Sequence, residues 1–308
     1  MNRREFLGGF VAATALGGCA TGERKAACCC CAKPEYHAFS RVFQFLKDTS
    51  KAAEFIRSCG YDGVEWTVRA GGFLDPAAAT VERLKALKDA ADKAGIKAEN
   101  IVVDFLRGDD SGAEALVMAA KEAGFRSFRG DYFKYDRAKT NRENFDAFRS
   151  GFDSLERLAR KSGLKACYQN HSTYNKAIPL FGSLVWDVAS VVKDYDPKYV
   201  GIQYDPMHVR AEGGPSWDHT LGAIAPWIDI VCLKDFCYSL DATGKDWKRE
   251  LVPAGKGIVD FTEVKRLMEL EGVKPRYTVH YDYDFPEDEA GARRFATSDL
   301  RYYRSVLG

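Results

Sequence analysis

Five histidines occur in 308 residues, and three of them close short apolar runs: His171 in YQNH, His208 in QYDPMH and His280 in VHYD. Each has an amide or acid nearby, with Gln169 two before His171, Asp205 three before His208 and Asp282 two after His280. A spacing of two places both side chains on one face of an extended strand. Neutral imidazole and carboxylate oxygen are the ligands that divalent metals take. The same groups also move protons, because imidazole titrates near neutrality. Lys234, followed by Asp235, adds a positive charge suited to an oxygen that turns negative. His208 is therefore the leading base candidate, His171 the second and Lys234 the electrophilic partner. Arg69, Arg129, Gln169 and Lys256 are candidates to grip substrate hydroxyls or an acidic group. The competing structural reading makes Lys234–Asp235 a rim salt bridge and the arginines solvated loop charges.

These residues need elements that bring them together. From residue 38 onwards, strand-like and helix-like patterns alternate eight times: strands at 38–45, 62–68, 96–105, 125–130, 164–170, 200–204, 228–233 and 276–281. Helices between them begin at Asp48, Pro76, Ser111, about Glu143, Leu184, Trp217, Asp260 and Ala290, and several stop at glycine. Such alternation predicts a parallel sheet with crossover helices. Eight units in this length fit a single closed (β/α)8 TIM barrel over 36–308. An open doubly wound sheet is the rival, and the first strand-helix turn lacks the GxGxxG of its dinucleotide-binding form. Active sites of such barrels form at the carboxyl ends of the strands, which is where the three histidines fall. The stretch 239–248 reads as a long loop after the seventh strand.

Composition narrows the function classes. Lys+Arg (45) and Asp+Glu (44) balance, which argues against a nucleic-acid partner. Aromatic residues at 13% exclude disorder as the main state, and no run of 18 apolar residues marks a membrane span. Residues 1–18 read as an export signal, with Arg3-Arg4 in twin-arginine style and a lipobox-like LGGC ending at Cys19. Residues 19–35, with Cys28 to Cys31 consecutive, read as a tether. The expectation is an exported protein, periplasmic or held to a membrane only through a lipid on Cys19; no oligomeric state is implied.

Six blocks, VEWTVRAGG (64–72), YQNH (168–171), QYDPMH (203–208), LKDF (233–236), VPAGKGIVDF (252–261) and VHYDYD (279–284), resemble in order those of the xylose-isomerase-like barrel superfamily. This sugar phosphate isomerase/epimerase group is matched over about 38–305. The resemblance implies proton abstraction next to a carbonyl through an enediolate. It also implies one divalent ion held by Glu, Asp, His and Glu on strands five to eight. Those positions here are Gln169, Asp205, Cys232 and Asp282, with His280 as the alternative on strand eight. An ion (Mn, Mg, Zn or Co) would then rest on Asp205, Asp282 and His280, with His171 or His208 replacing the lost imidazole; whether one is kept stays open. The expected function is a sugar isomerase/epimerase-like enzyme acting on a non-phosphorylated sugar or keto-sugar. The alternatives are a keto-glycoside lyase or hydrolase using the same enediolate, and a carbohydrate-binding lipoprotein that has lost catalysis.

Overall fold

Short apolar runs buried on both faces need cover outside and filling inside, and a closed ring of parallel strands supplies both. The computed structural model describes residues 33–173 and 179–308. Among these residues the strands are β1 (Tyr36–Phe39), β2 (Gly63–Val68), β3 (Asn100–Val103), β4 (Ser127–Arg129), β5 (Lys165–Gln169), β6 (Val200–Tyr204), β7 (Ile228–Leu233), β8 (Asp235–Leu240), β9 (Trp247–Val252) and β10 (Arg276–Val279). Eight of them close a barrel in the order β1-β10-β7-β6-β5-β4-β3-β2. The last strand pairs with the first through Tyr36↔Tyr277 and Ala38↔Val279. The expected TIM barrel is thus the observed fold. The expected signal (1–18) and the tether up to residue 32 lie outside the described residues.

Helices cover the ring: α1 (Thr49–Ser58), α2 (Val81–Lys93), α3 (Ala113–Glu122), α4 (Asn141–Ser162), α5 (Val185–Val192), α6 (Pro206–Gly213), α7 (Leu221–Ile224), α8 (Phe261–Leu270) and α9 (Glu289–Leu307). The α4 start carries a capping box between Thr140 and Glu143, and Gly163 ends it at a positive φ of 75°. Three local expectations change. The first strand stops at Phe39, because the Ser40 hydroxyl accepts the Thr67 N–H at 3.0 Å and the chain turns into a 3₁₀ helix over Ser40–Leu46. Asp205 ends β6 by capping a helix, its carboxylate accepting the His208 N–H. The stretch expected as a loop is most of an antiparallel hairpin, β8 with β9, whose turn is tied by the Asp241 carboxylate to the Thr243 and Lys245 N–H groups.

Strand alternation splits the core in two. Val64, Trp66, Ile101, Phe128, Tyr168, Ile202, Val231 and Val279 belong to the apolar layer that the helices cover. Intervening positions are polar and buried: Glu65, Asn100, Ser127, Gln203 and Thr278. Glu65 is their hub, accepting from the amides of Asn100 and Gln203 and from the Thr278 hydroxyl. A buried carboxylate is tolerated only with such donors.

Two further buried carboxylates hold the rim loops. Asp235 accepts the N–H groups of Phe236, Gly255, Gly257 and Val259 at 2.9–3.2 Å. A Cβ at Gly257 would lie 2.1 Å from Asp235 Oδ1, so this turn needs glycine there. Asp299 on α9 accepts the Tyr283 hydroxyl at 2.8 Å and the Ala254 N–H at 3.2 Å. Replacing Asp235 with Ala strands four backbone donors, and denaturant unfolding should show a loss of about 3 kcal/mol. Burial pushes the Asp299 carboxyl up to about 6, against roughly 3.9 in an unfolded chain. Between those values the native state binds more protons than the unfolded one, so this contribution to stability falls as pH rises through the window and levels off above it. Its total is roughly 2–3 kcal/mol. Urea unfolding of wild type and Asp299→Asn across this window should show the wild-type advantage shrinking with rising pH; a constant difference would contradict the assignment.

Candidate active site

At the carboxyl ends of the strands a cavity of about 610 Å³ opens, lined by Phe39, Arg69, Arg129, Gln169, His171, His208, Lys234, Arg249, His280 and Asp282, among others. Residues far apart in the chain meet here because alternate positions near the end of each strand face the barrel axis.

Lys234, at the end of β7, is buried with its Nζ 2.8 Å from Asp282 Oδ2 and 3.1 Å from Asp205 Oδ2. Gln169 Nε2 donates to the same Asp205 oxygen at 2.9 Å. Burial works against the ammonium, but Asp205 and Asp282 more than reverse this and hold the lysine above its ordinary value. Burial would likewise raise Asp282, and the charges of Lys234 and His280 bring it well below the usual carboxylate range. Lys234 and Asp282 are therefore a charged pair at neutral pH. The Lys234–Asp235 salt bridge of the competing structural reading does not form; Asp235 turns away to the backbone of the 253–259 turn.

Two imidazoles pack against each other beside this cluster, ring centroids 3.7 Å apart. His171 Nδ1 lies 2.7 Å from the Ser172 carbonyl, which only accepts, so that nitrogen carries the proton. Burial, then the Lys234 charge, hold His171 well below its ordinary value, so the ring is neutral with its lone pair on Nε2. His208 has the opposite tautomer. The Arg249 guanidinium donates to the Ser172 hydroxyl. That hydroxyl turns its own proton to His208 Nδ1, 2.6 Å away. Burial, then the neighbouring His171 and the Lys234 charge, keep His208 neutral. Its proton is left on Nε2, 3.5 Å from Asp205 Oδ2. A ring with its proton on Nε2 has no lone pair there, so of the two imidazoles it is His171 whose Nε2 can accept.

His280 sits deeper. It stacks on Phe39 with centroids 4.3 Å apart, and its Nε2 lies 3.5 Å from both Glu65 Oε2 and Cys232 Sγ. Beside His171, Arg129 donates to the Tyr132 hydroxyl at 3.0 Å, and that hydroxyl donates to Gln169 Oε1 at 2.7 Å. Arg69 is half-buried and lines the same cavity. Lys256 is not brought in: it is exposed on the 253–259 turn, whose glycines serve Asp235 and leave its side chain in solvent. Sequence reading missed Ser172 and Arg249. Three consecutive charged residues, Lys248 to Glu250, hid Arg249, and Ser172, just past the strand end, carried no signal.

A divalent ion would need lone-pair donors converging on one point. The point between Asp205 and Asp282 is held by the Lys234 ammonium, and Gln169 presents its N–H to Asp205. Burial, then the Asp205 and Glu65 charges, push the Cys232 thiol far up, so it is no thiolate ligand. His280 places its Nε2 3.5 Å from Glu65 Oε2 and 3.5 Å from the Cys232 sulfur. These residues do not fit a divalent ion, and no group of three or more His, Cys, Asp or Glu among the described residues is arranged to hold one.

The family model for xylose isomerase-like TIM barrels matches residues 53–296. No curated protein sequence matches the chain. Similar solved structures include the IOLI protein with a bound zinc atom (TM-score 0.70, 15% identity, 89% of this chain and 98% of that one). D-psicose 3-epimerase from Clostridium cellulolyticum H10 with D-tagatose is another (0.65, 14%, 89% and 99%). A third is the apo 3-keto-D-glucoside 4-epimerase from E. coli (0.64, 15%, 89% and 100%). At these identities the likeness is one of fold.

Lys234→Met would leave two carboxylates facing each other without their cation. Thermal and denaturant unfolding should show a loss of about 3–5 kcal/mol, and added Mn²⁺ should raise the melting temperature of the variant more than that of the wild type. Equal shifts in both proteins would mean that the ammonium is not what fills this position.

Proposed function

The chain belongs to the xylose isomerase-like TIM barrel family, and from that premise we propose that it is a sugar isomerase/epimerase-like enzyme that removes a proton next to a carbonyl of a non-phosphorylated sugar or keto-sugar. The observation that carries this reading is one cavity holding a neutral imidazole lone pair, on His171, and a buried ammonium, on Lys234. Proton abstraction beside a carbonyl needs those two things: a base near the C–H and a fixed positive charge where the oxyanion develops. His171 Nε2 takes the proton, the C–H electron pair becomes the enediolate double bond, and Lys234 faces the oxygen that gains charge. Asp205 and Asp282 keep the ammonium in place, while Gln169 and Tyr132 supply hydrogen bonds for hydroxyls.

Both imidazoles lie on one side of the cavity, on the β5 and β6 ends. Inversion by two bases needs proton-handling groups on both faces of the substrate. One-sided bases favour removal of a proton from one carbon and, after the protonated base has exchanged with water, delivery of a proton to the neighbouring carbon on the same face, an aldose–ketose type of isomerisation. A second reading is elimination from a keto-glycoside, in which the same enediolate expels a leaving group. It is favoured by His208, whose protonated Nε2 lacks a hydrogen-bond acceptor and can protonate that group. A substrate without phosphate goes with export, which the twin-arginine-like start and Cys19 support.

Incubation of keto-sugars and aldoses with the enzyme in deuterated water, followed by NMR, tests this. Deuterium should enter at one carbon next to the carbonyl, and His171→Phe should cut exchange by about 10²–10⁴-fold. Release of an aglycone together with exchange would select the lyase reading. Unchanged exchange in the His171 variant would remove it as the base.

A further inference from the structure

A second cavity of about 460 Å³ opens off the first at the ends of β2, β3 and β4, and shares Arg41, Gln44, Arg69 and Arg129 with it. The three arginines grade from exposed Arg41 at the mouth, through half-buried Arg69, to Arg129, which is 3% exposed. The guanidinium carbons of Arg69 and Arg129 lie 5.7 and 5.9 Å from the centre of one ring, that of Phe39. None of the three forms an ion pair among the described residues. Asp104 and Asp131 border the cavity but are exposed, and Asp104 Oδ2 accepts the Ala70 N–H. Arg129 Nε is buried with no hydrogen-bond partner. Burial, then the charges of Arg129 and Arg41, hold Arg69 below its ordinary value.

Clustered guanidiniums with unused N–H groups are a receptor for planar or tetrahedral oxyanions, which they bind by paired charge-assisted hydrogen bonds. The wall runs from Arg129 on β4, the strand beside β5, round to Arg69 at the end of β2, so a sugar lying with its carbonyl towards Lys234 directs its far end to Arg69 and Arg41. We infer that this wall is a subsite for an anionic substituent, and that the substrate is an acidic sugar carrying a carboxylate or a sulfate ester. The inference rests on the sugar-enzyme reading above and narrows it.

Isothermal titration of the full chain at low salt, with glucuronate, glucose 6-sulfate and glucose as probes, tests it without turnover. An acidic sugar should bind at least roughly tenfold more tightly than glucose, and its preference over glucose should fall as sodium chloride screens the wall. The Arg41→Gln/Arg69→Gln double variant should bring the ratio close to one. Preference for glucuronate alone assigns the carboxylate, and for the sulfate alone the ester. Equal binding of acidic and neutral sugars, no binding of either acid at millimolar concentration, or an unchanged ratio in the double variant overturns the inference. Deuterium exchange into neutral sugars reports separately on the parent reading, so failure of one is distinguishable from failure of the other.

Discussion

A single ammonium, Lys234, sits between two carboxylates that come from different strand ends, and the chemistry of the cavity is arranged around it. A charged group taken out of water is costly unless its partners are equally fixed. Asp205 meets this by capping α6 and by accepting the Gln169 amide. The same positive charge contributes to keeping His171 and His208 neutral, which leaves one ring able to accept a proton and the other able to give one. Had the lysine been absent, the same two acids would repel, and the imidazoles beside them would charge more readily.

The layer beneath explains why the acids can be held so rigidly. Most closed barrels of this kind fill their axis with branched aliphatic side chains. Here Glu65 gathers donors from β3, β6 and β10, and His280 links that hub to Phe39 on β1. Hydrogen bonds of this kind are directional, so they fix the mutual rotation of the strands more tightly than apolar packing does. The stability of the barrel itself rests on the outer layer, where Trp66, Phe128 and Tyr168 meet the helices.

Much of this was legible in the sequence. Alternation of apolar strands with capped helices fixed the fold, and the i, i+2 pairs Gln169/His171 and His280/Asp282 were read onto one face of their strands. What the sequence could not carry was the third dimension of charge. Lys234 and Asp235 are adjacent, which suggested a pair, yet neighbours on a strand point to opposite faces and must find partners elsewhere. Lys256 between two glycines suggested a flexible grip, whereas the glycines answer to the Asp235 carboxylate. The tautomers of His171 and His208 depend on Ser172 and on Arg249, which lies 77 residues further along the chain.

That arginine belongs to β9, in a hairpin that pairs only with itself and adds no strand to the barrel. The hairpin touches down near the mouth through the Tyr238 hydroxyl on the Ala211 carbonyl. The ring of eight strands and the guanidinium that reaches the histidine pair through Ser172 thus lie on different parts of the chain. A replacement of Arg249 in the outer part of this arm, with Asp235 and Phe236 at its base kept, alters the hydrogen bonding of the histidine pair and leaves the ring of strands untouched.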